Sequence, residues 1–150
     1  MLVSEILAIK GTVLYSISPQ HTLQDAVSTM TELDIGSLVV VDNGQMVGLL
    51  TFRELLAALA KAGQNWREAK VAGAMMRQPV VAAPDMEVAE LQRLIVEHRQ
   101  RYLPVMQEQT LLGVISFHDV ARAMLEEQGF ENRMLKNFIK NWPAEEEAAD

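Results

Sequence analysis

Gly48-Leu49-Leu50-Thr51-Phe52-Arg53-Glu54 returns later in the chain as Gly113-Val114-Ile115-Ser116-Phe117-His118-Asp119. Each copy holds a glycine, two aliphatic residues, a hydroxyl residue, phenylalanine, a basic or imidazole side chain and a carboxylate. The separation, 113 − 48 = 65 residues, extends outward without a change of register: Pro19 aligns with Pro84, Glu32 with Glu97, Leu38 with Leu103, Val40 with Val105 and Ala58 with Ala123. One register kept across two halves marks an internal duplication, each half being one supersecondary unit. Function is expected where the two units meet.

Within the first unit, Val13 to Ile17 reads as a short strand stopped at Ser18-Pro19, because proline lacks a ladder donor and restricts its predecessor. Thr22 with Asp25 predicts a capped helix whose Leu23, Ala26, Val27, Met30 and Leu33 share one face. Leu38-Val39-Val40-Val41 predicts a buried strand, Asp42-Asn43-Gly44 a tight hairpin, and Met46 to Leu50 the return strand. Thr51 to Ala62 then forms a helix with Leu55, Leu56 and Leu59 inward, ended by Gly63.

The second unit repeats this order. Val80 to Ala82 is its entry strand, Asp85 caps a helix with Val88, Leu91 and Ile95 inward, and Leu103 to Met106 and Leu111 to Ile115 are its paired strands. A last helix runs from Ser116 to about Glu127. Short helical segments, Val3 to Leu7 and Val71 to Met75, precede the units, and the first has three extra residues between that segment and its proline. Beyond the repeat, Met134, Leu135, Phe138, Ile139 and Trp142 mark a separate amphipathic helix, with Arg133, Lys136 and Lys140 on other faces and Pro143 as its stop.

The expected fold class is α+β, a tandem β-α-β-β-α repeat whose sheets pack about a pseudo-twofold axis, plus a C-terminal amphipathic helix. The expected division is 1–62 for the first unit, 63–70 for a linker, 71–128 for the second unit, and 129–150 for the terminal helix and acidic tail.

Composition narrows the partners. A chain of 150 residues, 49% hydrophobic, is large enough to bury a core. A net charge of −7 gives no general attraction to phosphate backbones, so nucleic acid is not an expected partner. The absence of cysteine removes disulfides and thiolate chemistry. Leu2 to Ile9 is too short to span a bilayer and lacks a basic leader, so the expectation is a cytoplasmic protein without membrane association.

From about Val3 to Glu127 the chain resembles a tandem pair of CBS domains, the Bateman module. The motifs that carry the resemblance are the proline entries (Ile17-Ser18-Pro19; Ala82-Ala83-Pro84), the middle strands (Ser37 to Asp42; Tyr102 to Met106) and the two heptads. It implies a regulatory module that binds an adenosine-containing ligand, such as AMP, ADP, ATP or S-adenosylmethionine, between paired units. It also implies disc-like homodimers and no required cofactor.

The heptads carry two readings. Thr51 with Glu54, and Ser116 with Asp119, can each close a capping box that needs no ligand. The same helix N-terminus offers free amides to phosphate, and its carboxylate can accept from both ribose hydroxyls. Ser116 and Asp119 match the family's ribose-binding pattern, whereas Glu54 is one methylene longer, which favours the Asp119 cleft. His118, Arg99 and Arg101 stand close in sequence as phosphate partners, beside Tyr102.

By the family pattern that cleft borrows Lys10, Thr12, Leu14, Tyr15, Ile35 and Gly36 from the first unit. Main-chain groups near Tyr15 would read the adenine edge, Leu14, Ile35 and Val114 would sandwich its faces, and Gly36 would leave room. A weaker mirror cleft would join Thr51 and Glu54 to Pro79, Val80, Gln100 and Arg101, with bulky Arg101 at the position equivalent to Gly36.

Catalysis is not expected. His21, His98 and His118 lie on different elements without metal-ligand spacing, and there is neither a nucleophile elbow nor a Gly-rich phosphate loop. Two readings remain: a nucleotide sensor acting on its own assembly or on an effector protein that the sequence does not identify, or a dimerisation module with vacant, degenerate clefts.

Overall fold

The computed structural model describes residues 1–11 and 13–140, and the side chains of all of these except 130, 131 and 138–140. The expected stripe residue Trp142 and the helix stop at Pro143 lie outside the described residues. The elements run α1 (Val3–Lys10), β1 (Ser16–Ile17), α2 (Leu23–Leu33), β2 (Ser37–Asp42), β3 (Gln45–Thr51), α3 (Phe52–Ala62), a 3-10 turn (Gly63–Glu68), α4 (Val71–Ala74), α5 (Val88–His98), β4 (Tyr102–Gln107), β5 (Thr110–Ser116) and α6 (Phe117–Lys140). β1 pairs parallel to β2, and β2 pairs antiparallel to β3. β4 and β5 form the second, antiparallel sheet. The architecture is the expected α+β tandem repeat.

Local chemistry accounts for the hairpin and caps. Asn43 and Gly44 both take positive φ, 53° and 76°, the pair of values a two-residue hairpin turn needs to match strand twist. Thr22 Oγ1 accepts from the Asp25 N–H at 3.2 Å while the Asp25 carboxylate accepts from the Thr22 N–H, which closes the expected box.

The leading helices are exchanged between units. Val3, Ile6 and Leu7 of α1 are buried with Val88, Leu91, Leu103 and Ile115 of the second unit. Val71 and Met75, in and just after α4, are buried with Leu23, Leu38 and Leu50 of the first. Each such side chain contributes about 1.5–3 kcal/mol by leaving water, so the exchange ties the halves into one folding unit.

Main-chain bonds repeat the exchange. Val3 N–H donates to Met86 O, Ser4 N–H to Pro84 O and Val88 N–H to Met1 O, each at 2.9 Å. Their counterparts are Val71 to His21 O at 2.9 Å, Ala72 to Pro19 O at 3.0 Å and Leu23 to Ala69 O at 2.8 Å. Body residues shift by 86 − 21 = 65 and helix residues by 71 − 3 = 68, which absorbs the three extra residues seen in the sequence.

The heptad glycines are explained by this packing. A Cβ on Gly48 would meet Met75 Sδ at 2.7 Å and the Met76 carbonyl oxygen at 2.9 Å. A Cβ on Gly113 would meet only Leu7 Cδ2, at 3.0 Å. Each glycine lets the exchanged segment approach a strand.

Several expectations are corrected. The first strand shortens to Ser16–Ile17, and Val13 is exposed. The entry strand at Val80 to Ala82 reduces to a single parallel bridge between Ala82 and Val105. Pro104 is the physical reason. In the first unit the Val39 N–H donates to Tyr15 O at 3.1 Å, and the equivalent donor is missing because Pro104 has no N–H.

Asp85 does not cap α5. The helix starts at Val88 after Glu87, and the Val88 N–H is already taken by Met1 of the exchanged segment. Leu33, Leu56 and Leu59 are exposed rather than inward. The terminal helix is not separate, because α6 runs unbroken past Gly129 to Lys140. A lone glycine costs a helix only about 1 kcal/mol, too little by itself to end one.

Candidate functional site

Ser116 and Asp119 close a box at the start of α6: Ser116 Oγ accepts from the Asp119 N–H at 3.0 Å, and Asp119 Oδ2 accepts from the Ser116 N–H at 2.8 Å. The exchange of α1 brings Lys10 to the same place. Its ammonium donates to Asp119 Oδ2 at 2.7 Å and to Val114 O at 2.6 Å. Burial opposes charge on Asp119, but the hydrogen bonds from Lys10 and Ser116 and the charge of Lys10 together outweigh it, holding the carboxyl below its ordinary value. Asp119 is therefore an ionised acceptor at a helix N-terminus. Thus Lys10, Val114, Ser116 and Asp119 converge as expected.

Around them the outcome is mixed. Thr12 lies outside the described residues. Leu14 and Tyr15 are partly exposed, and the Tyr15 carbonyl is used by Val39. Ile35 packs on the first unit's core rather than standing free. His118 and Arg101 are exposed, and Arg101 lines the mirror cleft. Gly36 does not leave open room, since the space a Cβ would take is filled by the Tyr102 hydroxyl, with Tyr102 Cζ at 2.8 Å and Phe52 Cε2 at 3.4 Å.

The mirror position opens a larger cleft of about 1020 Å³, lined by Thr51, Arg53, Arg99, Gln100, Arg101 and Tyr102 with Phe52 and Phe117 at its walls. A depression of about 310 Å³ adjoins Lys10 and Asp119 on the α1–α6 side. Thr51, Gln100 and Arg101 thus meet as expected, whereas Glu54, Pro79 and Val80 are not among the lining residues. The Glu54 carboxylate accepts from the Thr51 N–H at 2.9 Å and from the Thr51 hydroxyl. Arg53 donates to the Arg99 carbonyl at 3.1 Å, bridging α3 and the end of α5.

Gln100 lines that cleft and also braces the second unit. Its Oε1 accepts from the Val80 N–H at 3.0 Å, and its Nε2 donates to Val80 O at 2.8 Å and to Tyr102 O at 2.9 Å. The side chain supplies the donor that Pro104 cannot. Arg53, Phe52 and Phe117 were not singled out as site residues, although the heptad alignment, which sets Arg53 against His118, held a signal for Arg53.

A family model for the CBS domain matches residues 3–61 and 70–126. A CBS domain-containing mitochondrial protein, CBSX3 of Arabidopsis thaliana, is 30% identical over 124 residues, covering 79% of this chain and 60% of that protein. The chain therefore spans less than two thirds of that relative. Among solved structures, a CBS-domain-containing protein from Agrobacterium tumefaciens superposes with a TM-score of 0.80 at 29% identity, covering 83% of this chain and 99% of that one. CBSX2 in complex with AMP superposes with a TM-score of 0.66 at 27% identity, covering 77% and 90%.

Proposed function

Since the chain belongs to the CBS-domain family and carries the domain twice, we propose that this regulatory module senses an adenosine-containing nucleotide bound beside Asp119. The observation that carries the reading is the ionised, half-buried Asp119 at the α6 N-terminus, with the Lys10 ammonium beside it. That set offers a carboxylate to ribose hydroxyls and a cation to phosphate. Ser116 and Val114 frame the acid, and in this reading His118, Arg101 and Tyr102 from the second unit and Thr12, Leu14, Tyr15, Ile35 and Gly36 from the first would complete the ligand's contacts. The Thr51 cleft, with its arginines, is the second, weaker position. AMP bound to CBSX2 supports the ligand class. The module acts by binding, without catalysis of its own, and passes its state to an effector protein or to its own assembly.

Calorimetric titration with AMP, ADP, ATP and S-adenosylmethionine tests this. At least one should bind, and Asp119→Ala should weaken it roughly 10- to 100-fold, the loss of a charged hydrogen-bond acceptor being about 1.5–3 kcal/mol. No binding by any of the four, or an unaffected variant, would overturn the reading.

A second reading, an interaction module without ligand, draws on exposed Phe52, Leu56 and Leu59, which form a stripe along α3. In both readings this stripe helps to cover a second copy in a homodimer. Leu56→Glu should then raise the dimer dissociation constant about tenfold or more by burying a charge without a partner. Sedimentation showing equal self-association of the variant would exclude the stripe from the interface.

A further inference from the structure

We infer that Tyr102 is shared between the two clefts and limits each chain to one adenosine ligand, although the duplication supplies two heptads. The inference rests on the adenosine reading above and adds the stoichiometry. Tyr102 opens β4, where its main chain pairs with Ser116 of the Asp119 site. Tyr102 also lines the arginine cleft. Its hydroxyl meanwhile fills the space above Gly36 on the first unit, a space that Phe52 Cε2 also borders. At the 65-residue offset Gly36 corresponds to Arg101, which lines the arginine cleft, so Gly36 belongs to the mirror position beside Asp119 and one side chain links the two.

Its freedom is confined to its side-chain torsions. The backbone is held by β5 on one side and by Gln100, which donates to the Tyr102 carbonyl at 2.9 Å. The neighbours Leu103 and Ile115 are fully buried, so the core side is closed to an aromatic ring. A purine placed over Gly36 must displace the hydroxyl, and the open direction is the cleft of about 1020 Å³ beneath Arg53, Arg99 and Arg101. A ligand in that cleft, conversely, presses the ring back onto Gly36. Binding at either position then disfavours the other, and reciprocity requires that the penalty be equal in both directions.

Gly36 is part of the device. Its φ is not in the left-handed region, so the glycine is needed for space and not for backbone conformation. The pseudosymmetric position holds Arg101, which makes the arrangement one-sided: a single aromatic ring crosses from the second unit to the first.

Calorimetric titration of the full chain with AMP decides the matter. The unmodified protein should saturate with one AMP per chain, and Tyr102→Val should take two. Should Tyr102→Val fail to fold by circular dichroism, Tyr102→Leu serves, since it too cannot reach Gly36. Two AMP of like affinity in the unmodified protein, or one in the folded variant, would overturn the inference.

A ligand-free measurement separates this failure from failure of the adenosine reading. Gly36→Ala should lower the melting temperature of the unmodified chain and leave that of Tyr102→Val nearly unchanged. Additive effects would show that the Tyr102–Gly36 contact is not made in solution, and the gate would fall. Normal coupling with no AMP bound would remove the adenosine reading and, with it, the stoichiometry.

Discussion

Gln100→Leu should lower stability by about 2–4 kcal/mol, because it strands both the N–H and the carbonyl of Val80, and a buried main-chain group without a partner costs about 1–3 kcal/mol. In the native chain Gln100 serves both groups, at 3.0 and 2.8 Å. The effect should appear as a fall in melting temperature of about 2–4 °C per kcal/mol. Pro104→Val supplies the control. It restores an N–H at the position equivalent to Val39, which donates to Tyr15 O at 3.1 Å. Introduced into Gln100→Leu, it should recover part of the loss, and introduced alone it should change little. Equal destabilisation in both backgrounds would show that Gln100 does not replace the missing donor.

Gly48→Val should destabilise the chain by about 1–3 kcal/mol or more, the usual cost of forcing extra carbons into a packed core. The obstruction includes backbone, the Met76 carbonyl oxygen at 2.9 Å, which cannot turn aside as a side chain can. Leu49 and Met76 also exchange main-chain hydrogen bonds of 2.8 and 3.0 Å, so the added side chain presses on a paired segment. Gly113→Ala should cost less than about 1 kcal/mol, since it meets one terminal methyl of Leu7 that can rotate away. Denaturant melts of the two variants should therefore differ although the glycines are equivalent in sequence. Equal losses would contradict the exchanged packing.

Both expectations depend on contacts that the repeat alone does not reveal. Capping and turn chemistry was legible because its partners lie within a few residues: Thr22 with Asp25, Asn43 beside Gly44, Ser116 with Asp119. Helix faces were legible only in part. Leu23, Ala26 and Met30 are buried as periodicity requires, whereas Leu56 and Leu59, on an equally regular face of α3, are exposed. Periodicity shows that residues share a face, and which neighbour covers that face depends on the rest of the fold.

The candidate site divides in the same way. The heptads pointed to Ser116, Asp119, Thr51 and Glu54, and the structure gathers Lys10 and Val114 around Asp119. The family pattern placed Gln100 in the mirror cleft, and Gln100 does line it. Its side chain also repairs the strand pairing broken at Pro104, a requirement visible only once Val80 and β4 are adjacent. Arg53 and Arg99, far apart in the chain, meet because α3 starts beside the end of α5.

By itself the sequence determined the duplication, its register, the β-α-β-β-α order of the first unit, the caps at Thr22, Thr51 and Ser116, and the two carboxylates at helix N-termini. Each of these is written in local spacing or in comparison of one half with the other. Only the tertiary structure decided that α1 and α4 change partners, that Tyr102 occupies the space above Gly36, and that a cleft of about 1020 Å³ opens on the arginine side. Those outcomes join residues remote in sequence through shape and volume, and packing of that kind leaves no periodic trace in the chain.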